Sequence, residues 1–239
     1  MKKIFALTTL ILMVALSLSA VDIYVKQKTH TEGMMGQPAT DVVQDQWISE
    51  NAYASVSAEQ SMIMDMKKNM MYWVFHKSKT YVESTLPMDL TKLLPAEFAA
   101  MAGMMMMTAT VSPTTETKKV GQWNCTGYDV SMTVMSMPMK MRVWATTDVP
   151  FDYNQFNAKI WGNVLKSQMM LDENSAKEMM KIKGFQIASE MSGEMMGMKF
   201  SSNTEVLEIS KKTPPANVYA PPAGYTKKDK LSMEDLQRR

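Results

Sequence analysis

The sequence predicts an α+β fold in which an antiparallel sheet dominates and a few helices accompany it. Segments of alternating apolar and polar residues recur along the chain, and residues 61–67 are the clearest example. In that segment Met62, Met64 and Met66 point to one side of the predicted strand. Short polar turns separate several such segments, which is typical of antiparallel strands that follow one another.

The first half of the chain contains most of the strand patterns. A strand is predicted at the start of the domain, a weaker one follows, and three more form a meander with two short polar turns. In chain order these strands are residues 22–30, 46–54, 61–67, 70–76 and 79–85.

A first helical stretch follows the meander. Asp89 is placed to cap this helix, and Pro95 is expected to kink or restart it. Its apolar residues recur at helical spacing, and they are Leu90, Leu94, Phe98, Met101 and Met105.

Strands resume at about Thr108, with a break expected at Pro113. Residues 122–136 and 139–147 are predicted to form a long hairpin with Pro138 in its turn. A second hairpin, residues 185–191 and 196–210, is predicted to turn at Ser192 and Gly193.

The clearest helix signal lies between these two hairpins. Asp152 as N-cap and Gln155 three residues later match a capping box, and Phe151 and Phe156 match a hydrophobic staple. Residues 173–181 are predicted to continue as a second helical piece. The apolar stripe of the first piece consists of Phe156, Ile160, Trp161, Val164 and Leu165.

Residues 1–20 have the pattern of a cleaved secretory signal peptide. Lys2 and Lys3 precede an apolar run over residues 4–16, and small residues follow up to Ala20. The run is shorter than the roughly 20 apolar residues of a spanning helix, although an uncleaved anchor is the alternative. We therefore expect a periplasmic or secreted protein, with residues 21–225 as one domain and residues 226–239 as a charged, flexible tail.

Composition narrows the classes of function. Without residues 1–20 the formal charge falls from +2 to 0, which argues against nucleic-acid binding. No second apolar segment is long enough to span a membrane. The one cysteine, Cys125, cannot form an internal disulfide, and it is either a buried core residue or a reactive thiol.

The order of these features resembles a family of exported bacterial proteins of unknown function. That family is grouped by fold with the LolA and LppX lipoprotein carriers. The matching segments are 22–26 (DIYVK), 79–81 (KTY), 116–125 (ETKKVGQWNC), 144–148 (WATTD), 183–185 (KGF) and 221–225 (PPAGY). The resemblance covers most of the chain after residue 20. It implies a strongly curved antiparallel sheet, a half-open β-barrel, with helices across its concave face.

The 29 methionines of the chain support two binding hypotheses. In the first, flexible thioether and aromatic side chains line a cavity for a lipid-like or other apolar ligand, or else they fill a closed core. The predicted lining residues are Met62, Met64, Met66, Met71, Trp73, Phe75, Met132, Met139 and Met141. In the alternative, thioethers bind Cu(I) at alternate strand positions, which are Met135, Met137, Met139 and Met141.

Neither histidine, His30 or His76, lies in a recognisable catalytic or metal-binding motif, so we expect no enzymatic activity and no cofactor apart from Cu(I) under the alternative hypothesis. A third interpretation is a structural protein of the cell envelope. In that role an exposed sheet edge or the proline-rich C-terminal segment would bind a protein partner.

Overall fold

The structure, a computed structural model, describes residues 22–33, 38–99, 102–195, 197–232 and 234–235. They form an open 12-stranded sheet in the order β12-β6-β5-β4-β3-β2-β1-β11-β10-β9-β8-β7. Neighbouring strands are antiparallel except for β12, which lies parallel to β6. No helix in these ranges combines the length and apolar character needed to cross a membrane. The predicted signal peptide, residues 1–20, lies outside the described residues.

The strands differ widely in length, from two residues to fifteen. They are β1 (Asp22–Thr31), β2 (Thr40–Ile48), β3 (Ala52–Val56), β4 (Gln60–Asp65), β5 (Met70–Phe75), β6 (Thr80–Thr85), β7 (Thr108–Val120), β8 (Trp123–Val134), β9 (Met137–Thr146), β10 (Phe185–Met195), β11 (Met198–Lys212) and β12 (Thr226–Lys227).

The helices are short and occupy two stretches. The first contains α1 (Leu90–Leu93), α2 (Ala96–Ala99) and a 3-10 turn (Ala102–Met105). The second contains α3 (Tyr153–Phe156), a π turn (Asn157–Trp161), α4 (Gly162–Ser167) and α5 (Glu173–Met179).

Each face of the sheet has a different cover. Helix residues pack on one face, here called the helix face, where they form two apolar clusters with strand residues. The first apolar cluster covers β3–β6 and the middle of the sheet and also includes Val120, Trp123, Cys125 and Trp144, and the second covers the rest of β7–β9. On the opposite face residues 213–225, here called the arm, lie against β1–β5 through Val218, Tyr219 and Tyr225.

Several local predictions are confirmed. Strands β4, β5 and β6 form the predicted antiparallel meander. The Asp152 carboxylate accepts a hydrogen bond from the backbone N–H of Gln155 at 3.0 Å, and the rings of Phe151 and Phe156 lie 5.8 Å apart. The coarse prediction of a largely antiparallel sheet with a few helices is therefore correct, and the half-open barrel stays an expectation.

Both predicted hairpin turns are wrong. Strands β8 and β9 turn at Met135 and Ser136, which have φ angles of 49° and 65°. Pro138 pairs with Thr133 inside the hairpin. The last hairpin turns after Met195 at Gly197, whose φ is 78°, because this conformation suits glycine.

Two further boundaries differ from the sequence prediction. Residues 46–54 are not one strand, because β2 ends at Ile48 and β3 starts at Ala52 after a turn. The first helical stretch divides into three pieces, with Pro95 between α1 and α2.

Part of the charged segment after residue 225 contacts the rest of the domain. Thr226 pairs with Thr80 at the edge of the sheet. Leu231 is only 1% exposed and packs in the first apolar cluster, and the Lys228 ammonium is paired with the Asp235 carboxylate. The buried Leu231 side chain thus gives part of this charged segment an apolar contact, and the flexibility of the tail stays a prediction.

Candidate functional site

The nine residues predicted to line an apolar cavity do not form one lining. Six of them are in or against the first apolar cluster, and these are Met62, Met64, Met66, Met71, Trp73 and Phe75. The other three, Met132, Met139 and Met141, belong to the second cluster. Eight of the nine are less than 9% exposed, and the partly buried Met66 accepts a hydrogen bond from Asn163. Their role in ligand binding stays a prediction.

A cavity lies between the two clusters. Its volume is about 240 Å³, and it is on the helix face where β1 and β11 meet. Trp161 of the π turn packs against both clusters and forms part of its wall. The other apolar walls come from Tyr53, Met141, Val164, Met169, Phe185, Ile187, Met191 and Val206.

The rest of this lining is polar and uncharged. It consists of Gln27, Gln44, Gln46, Gln168, Gln186, Ser189, Ser202 and Thr204. An adjoining cavity of about 210 Å³ shares Gln44 and Gln168 with the first and adds Ser55, Gln60, Met62 and Trp73. Of the nine residues predicted from sequence, only Met141, Met62 and Trp73 reach these cavities. The glutamines were missed.

Strand register places the glutamines side by side. Gln27 of β1 is opposite Gln44 of β2, two residues beyond the pair formed by Val25 and Gln46, so both pairs face the same side of the sheet. Gln27 donates to the Gln44 amide oxygen at 3.1 Å, and Gln46 donates to the Gln27 amide oxygen at 2.7 Å. The side chains therefore form a connected amide row on the floor of the cavity.

Trp161 and Val164, both in the helical stretch over residues 153–167, form part of the cavity wall. Asp152 fixes where that stretch begins, and the buried side chains of Ile160 and Val164 hold it on the first cluster. Just beyond its end, the Gln168 amide oxygen accepts a hydrogen bond from the Tyr53 hydroxyl at 3.4 Å. Burial raises the pKa of Tyr53, and the nearby Ser55 hydroxyl partly opposes that rise, so the phenol stays neutral.

The four methionines of the Cu(I) hypothesis have different environments. Met139 and Met141 are buried in the second cluster, and Met137 is half-buried at the start of β9. Met135 lies in the hairpin turn and is 44% exposed. Met137, Met139 and Met141 therefore lie at alternate positions of β9, whereas Met135 lies in the turn before that strand. Cu(I) binding stays a prediction.

A family model described as a domain of unknown function, DUF4412, matches residues 40–225, which is well over half of the chain. The chain belongs to the DUF4412 family. Membership of a family of unknown function, predicted from the sequence, is therefore confirmed. No curated protein sequence matches the chain.

Solved structures similar to this DUF4412 protein share little sequence with it. PNGF-II has a TM-score of 0.44 at 12% identity over 91% of this chain, which spans only 32% of PNGF-II. A LolA-superfamily protein from Nitrosomonas europaea has a TM-score of 0.33 at 8% identity, over 83% of this chain and 90% of that one. A DUF1329 family protein from Desulfovibrio piger has a TM-score of 0.23 at 8% identity, over 83% and 88%.

The one cysteine and both histidines of this DUF4412 protein lie outside the two cavities. Cys125 is 2% exposed, and burial raises the pKa of its thiol, which is the reverse of a reactive cysteine. His30 lies at the surface, where a hydrogen bond with the Asp41 carboxylate at 2.8 Å raises its pKa.

His76 holds the arm against the sheet. Its Nε2 lies 2.8 Å from the Ser61 hydroxyl, and its Nδ1 lies 3.2 Å from the Tyr225 hydroxyl. Burial lowers the pKa of His76, so the neutral imidazole is the bonded form. A second anchor is the hydrogen bond from the Tyr219 hydroxyl to the Asp22 carboxylate at 2.6 Å. Although Ser61 and His76 are a serine–histidine pair, Ser61 is only 4% exposed and the pair serves as an anchor.

Proposed function

We propose that this protein is an exported, non-catalytic binding protein that holds a lipid-like or other amphipathic ligand in the two adjoining cavities of the helix face. The observation that carries the proposal is the central cavity of about 240 Å³, which lies between two apolar clusters at the middle of the sheet. Export is supported by the signal-like pattern of residues 1–20.

The chemistry of the lining supports an amphipathic ligand better than a purely apolar one. Aromatic and aliphatic side chains such as Trp161, Phe185 and Ile187 offer surface for an apolar chain. Amide and hydroxyl groups share the same cavity, and unbonded polar groups there disfavour a wholly apolar ligand. Together the two cavities fall within the range of roughly 300–1,000 Å³ that is usual for small-molecule sites.

The proposal assigns the methionine excess two roles. Most of the buried methionines fill the two clusters, since this unbranched side chain adapts to irregular gaps. Met141, Met169 and Met191 also reach the central cavity, where the same flexibility lets the wall follow the shape of a bound chain.

Binding without catalysis is supported by the positions of the nucleophilic and basic groups. Cys125 is buried with a raised pKa, and His76 is bonded to Ser61 and Tyr225 beneath the arm. A general base has to lie within hydrogen-bonding reach of the bound substrate, and neither residue lines the cavities.

The test uses the full chain purified gently from bacterial cells. We expect native mass spectrometry to show an added mass that solvent extraction removes, and the emptied protein to bind the neutral apolar dye N-phenyl-1-naphthylamine. Met191→Trp fills the central cavity and should abolish dye binding. Leu207→Trp, at a site 50% exposed on β11, should not. Absent dye binding, or equal binding by both variants, would contradict the proposal.

A further inference from the structure

The most specific feature of the cavities is their complete lack of charge. Charged residues make up 21% of the chain, yet no described residue that lines either cavity has a charged side chain. A charged ligand group that moves against this lining would give up part of its water and meet no counter-ion there. Such a transfer is far more costly than the burial of a neutral polar group with hydrogen-bond partners.

The hydrogen bonds already present determine what the glutamines can still offer. The Trp73 indole donates to the Gln60 amide oxygen at 2.8 Å, and an indole N–H can only donate. The Gln60 amide oxygen therefore faces the Trp73 indole, and the amide nitrogen does not bond to it. The amide oxygens of Gln44 and Gln168 also accept bonds, from Gln27 and Tyr53 respectively. Among the described residues, no hydrogen bond uses the amide nitrogens of Gln44, Gln60 and Gln168.

A buried hydroxyl lies beside these amide nitrogens. Ser55 is 1% exposed and lines the adjoining cavity together with Gln44, Gln60 and Gln168. Its Oγ has no hydrogen-bond partner of normal geometry within the described ranges, although it lies close enough to the Tyr53 phenol to lower the pKa of that group. A buried polar atom without a partner is destabilising, so a ligand group that bonded it would gain affinity from that relief.

We propose that the glutamines and Ser55 bind an uncharged head group that accepts hydrogen bonds, such as an amide, ester or hydroxyl, and exclude carboxylate, phosphate and ammonium heads. The inference rests on the proposed function and specifies its ligand class. The apolar chain of the ligand lies toward Trp161 and Ile187 in the central cavity, and its head lies against Gln44, Gln168 and Ser55.

Three ligands with the same ten-carbon chain test this selectivity on the full chain. Decanamide, decanoate and decylammonium are compared by displacement of N-phenyl-1-naphthylamine at pH 8, below their micelle concentrations. We expect decanamide to bind at least about tenfold more tightly than either ion, the loss expected when a charge is buried unpaired. Equal affinities would overturn the head-group inference and leave the proposed function intact. If the dye itself does not bind, the proposed function fails instead.

A charge placed in the cavity should reverse the preference. Gln168→Glu keeps the size of the side chain and is expected to make decylammonium bind at least about tenfold better than decanamide. Gln122→Glu, at an exposed position before β8, is the matched control and should leave the wild-type order unchanged. A folded Gln168→Glu protein with the wild-type order would overturn the inference.

Ser55→Ala gives a second test that does not depend on a buried charge. Loss of the hydroxyl should weaken decanamide binding by about fivefold and leave the low affinity for decanoate unchanged. The variant should unfold at or above the wild-type temperature, because an unpartnered hydroxyl has been removed. Unchanged decanamide affinity in this variant would remove Ser55 from the head-group site.

Discussion

If the methionines are packed core residues, shortening two of them should destabilise the fold. Met64 and Met71 are opposite each other on β4 and β5, and each is 0% exposed. Met→Ala removes three heavy atoms from a site with no solvent to refill it. Buried Met→Ala changes lower the free energy of unfolding by about 2–5 kcal/mol. We therefore expect a loss of about 3 kcal/mol for each variant. For a domain of this size that corresponds to a Tm lower by roughly 6–12 °C.

The assay is urea unfolding followed by tryptophan fluorescence, with two control variants. Met64→Leu conserves volume and should cost less than about 1.5 kcal/mol. Met135→Ala changes a turn residue that is 44% exposed and should stay within about 0.5 kcal/mol of wild type. Losses below about 1 kcal/mol for both Met64→Ala and Met71→Ala would refute the core assignment and favour an open, methionine-lined cavity instead.

Three further predictions concern local features. Asp152→Ala removes the N-cap of α3 and should cost about 1 kcal/mol in urea unfolding, and no change would show that the cap is dispensable. Gly184→Ala should lower the free energy of unfolding by about 3 kcal/mol, because Gly184 has φ 106° and a Cβ there would collide with the Thr146 carbonyl. A variant with wild-type stability would contradict that geometry. His76 has a lowered pKa in the folded state, so its contribution to stability is present above pH 6.5 and is lost as the pH falls below that value through the folded pKa. Limited proteolysis should therefore cleave the arm faster at pH 5 than at pH 7.5, and His76→Asn should remove that difference; an arm cleaved equally at both pH values would rule out the anchor at Ser61.

Local sequence signals predicted the elements that local chemistry determines. The helix start at Asp152 was predictable because the cap, its partner and the staple lie within six residues. The turn at Met135 and Ser136 was not predictable, because neither methionine nor serine is typical of the left-handed conformation. The nearby Pro138 is a stronger turn signal.

The glutamine row follows from the alternation of residues along β1 and β2. Gln27 continues the alternation of Ile23 and Val25, and Gln44 and Gln46 continue that of Ile48, so these residues are on the core-facing side of their strands. Uncharged polar residues at core-facing positions are the signal that could have indicated the site. That several such strands adjoin beneath one helix depends on long-range pairing, which a single sequence does not reveal.

The pairing of β1 with β11 determines when, during synthesis, the central cavity can form. Because Asp22 pairs with Lys212, the middle of the sheet joins strands from opposite ends of the described chain. During synthesis the β4–β6 meander can form soon after residue 85 is made, whereas the cavity lacks much of its floor until β11 has been made. A nascent chain that stops before β11 therefore already contains both Gln27 and Trp161, yet lacks the part of the cavity lining that Ser202, Thr204 and Val206 supply.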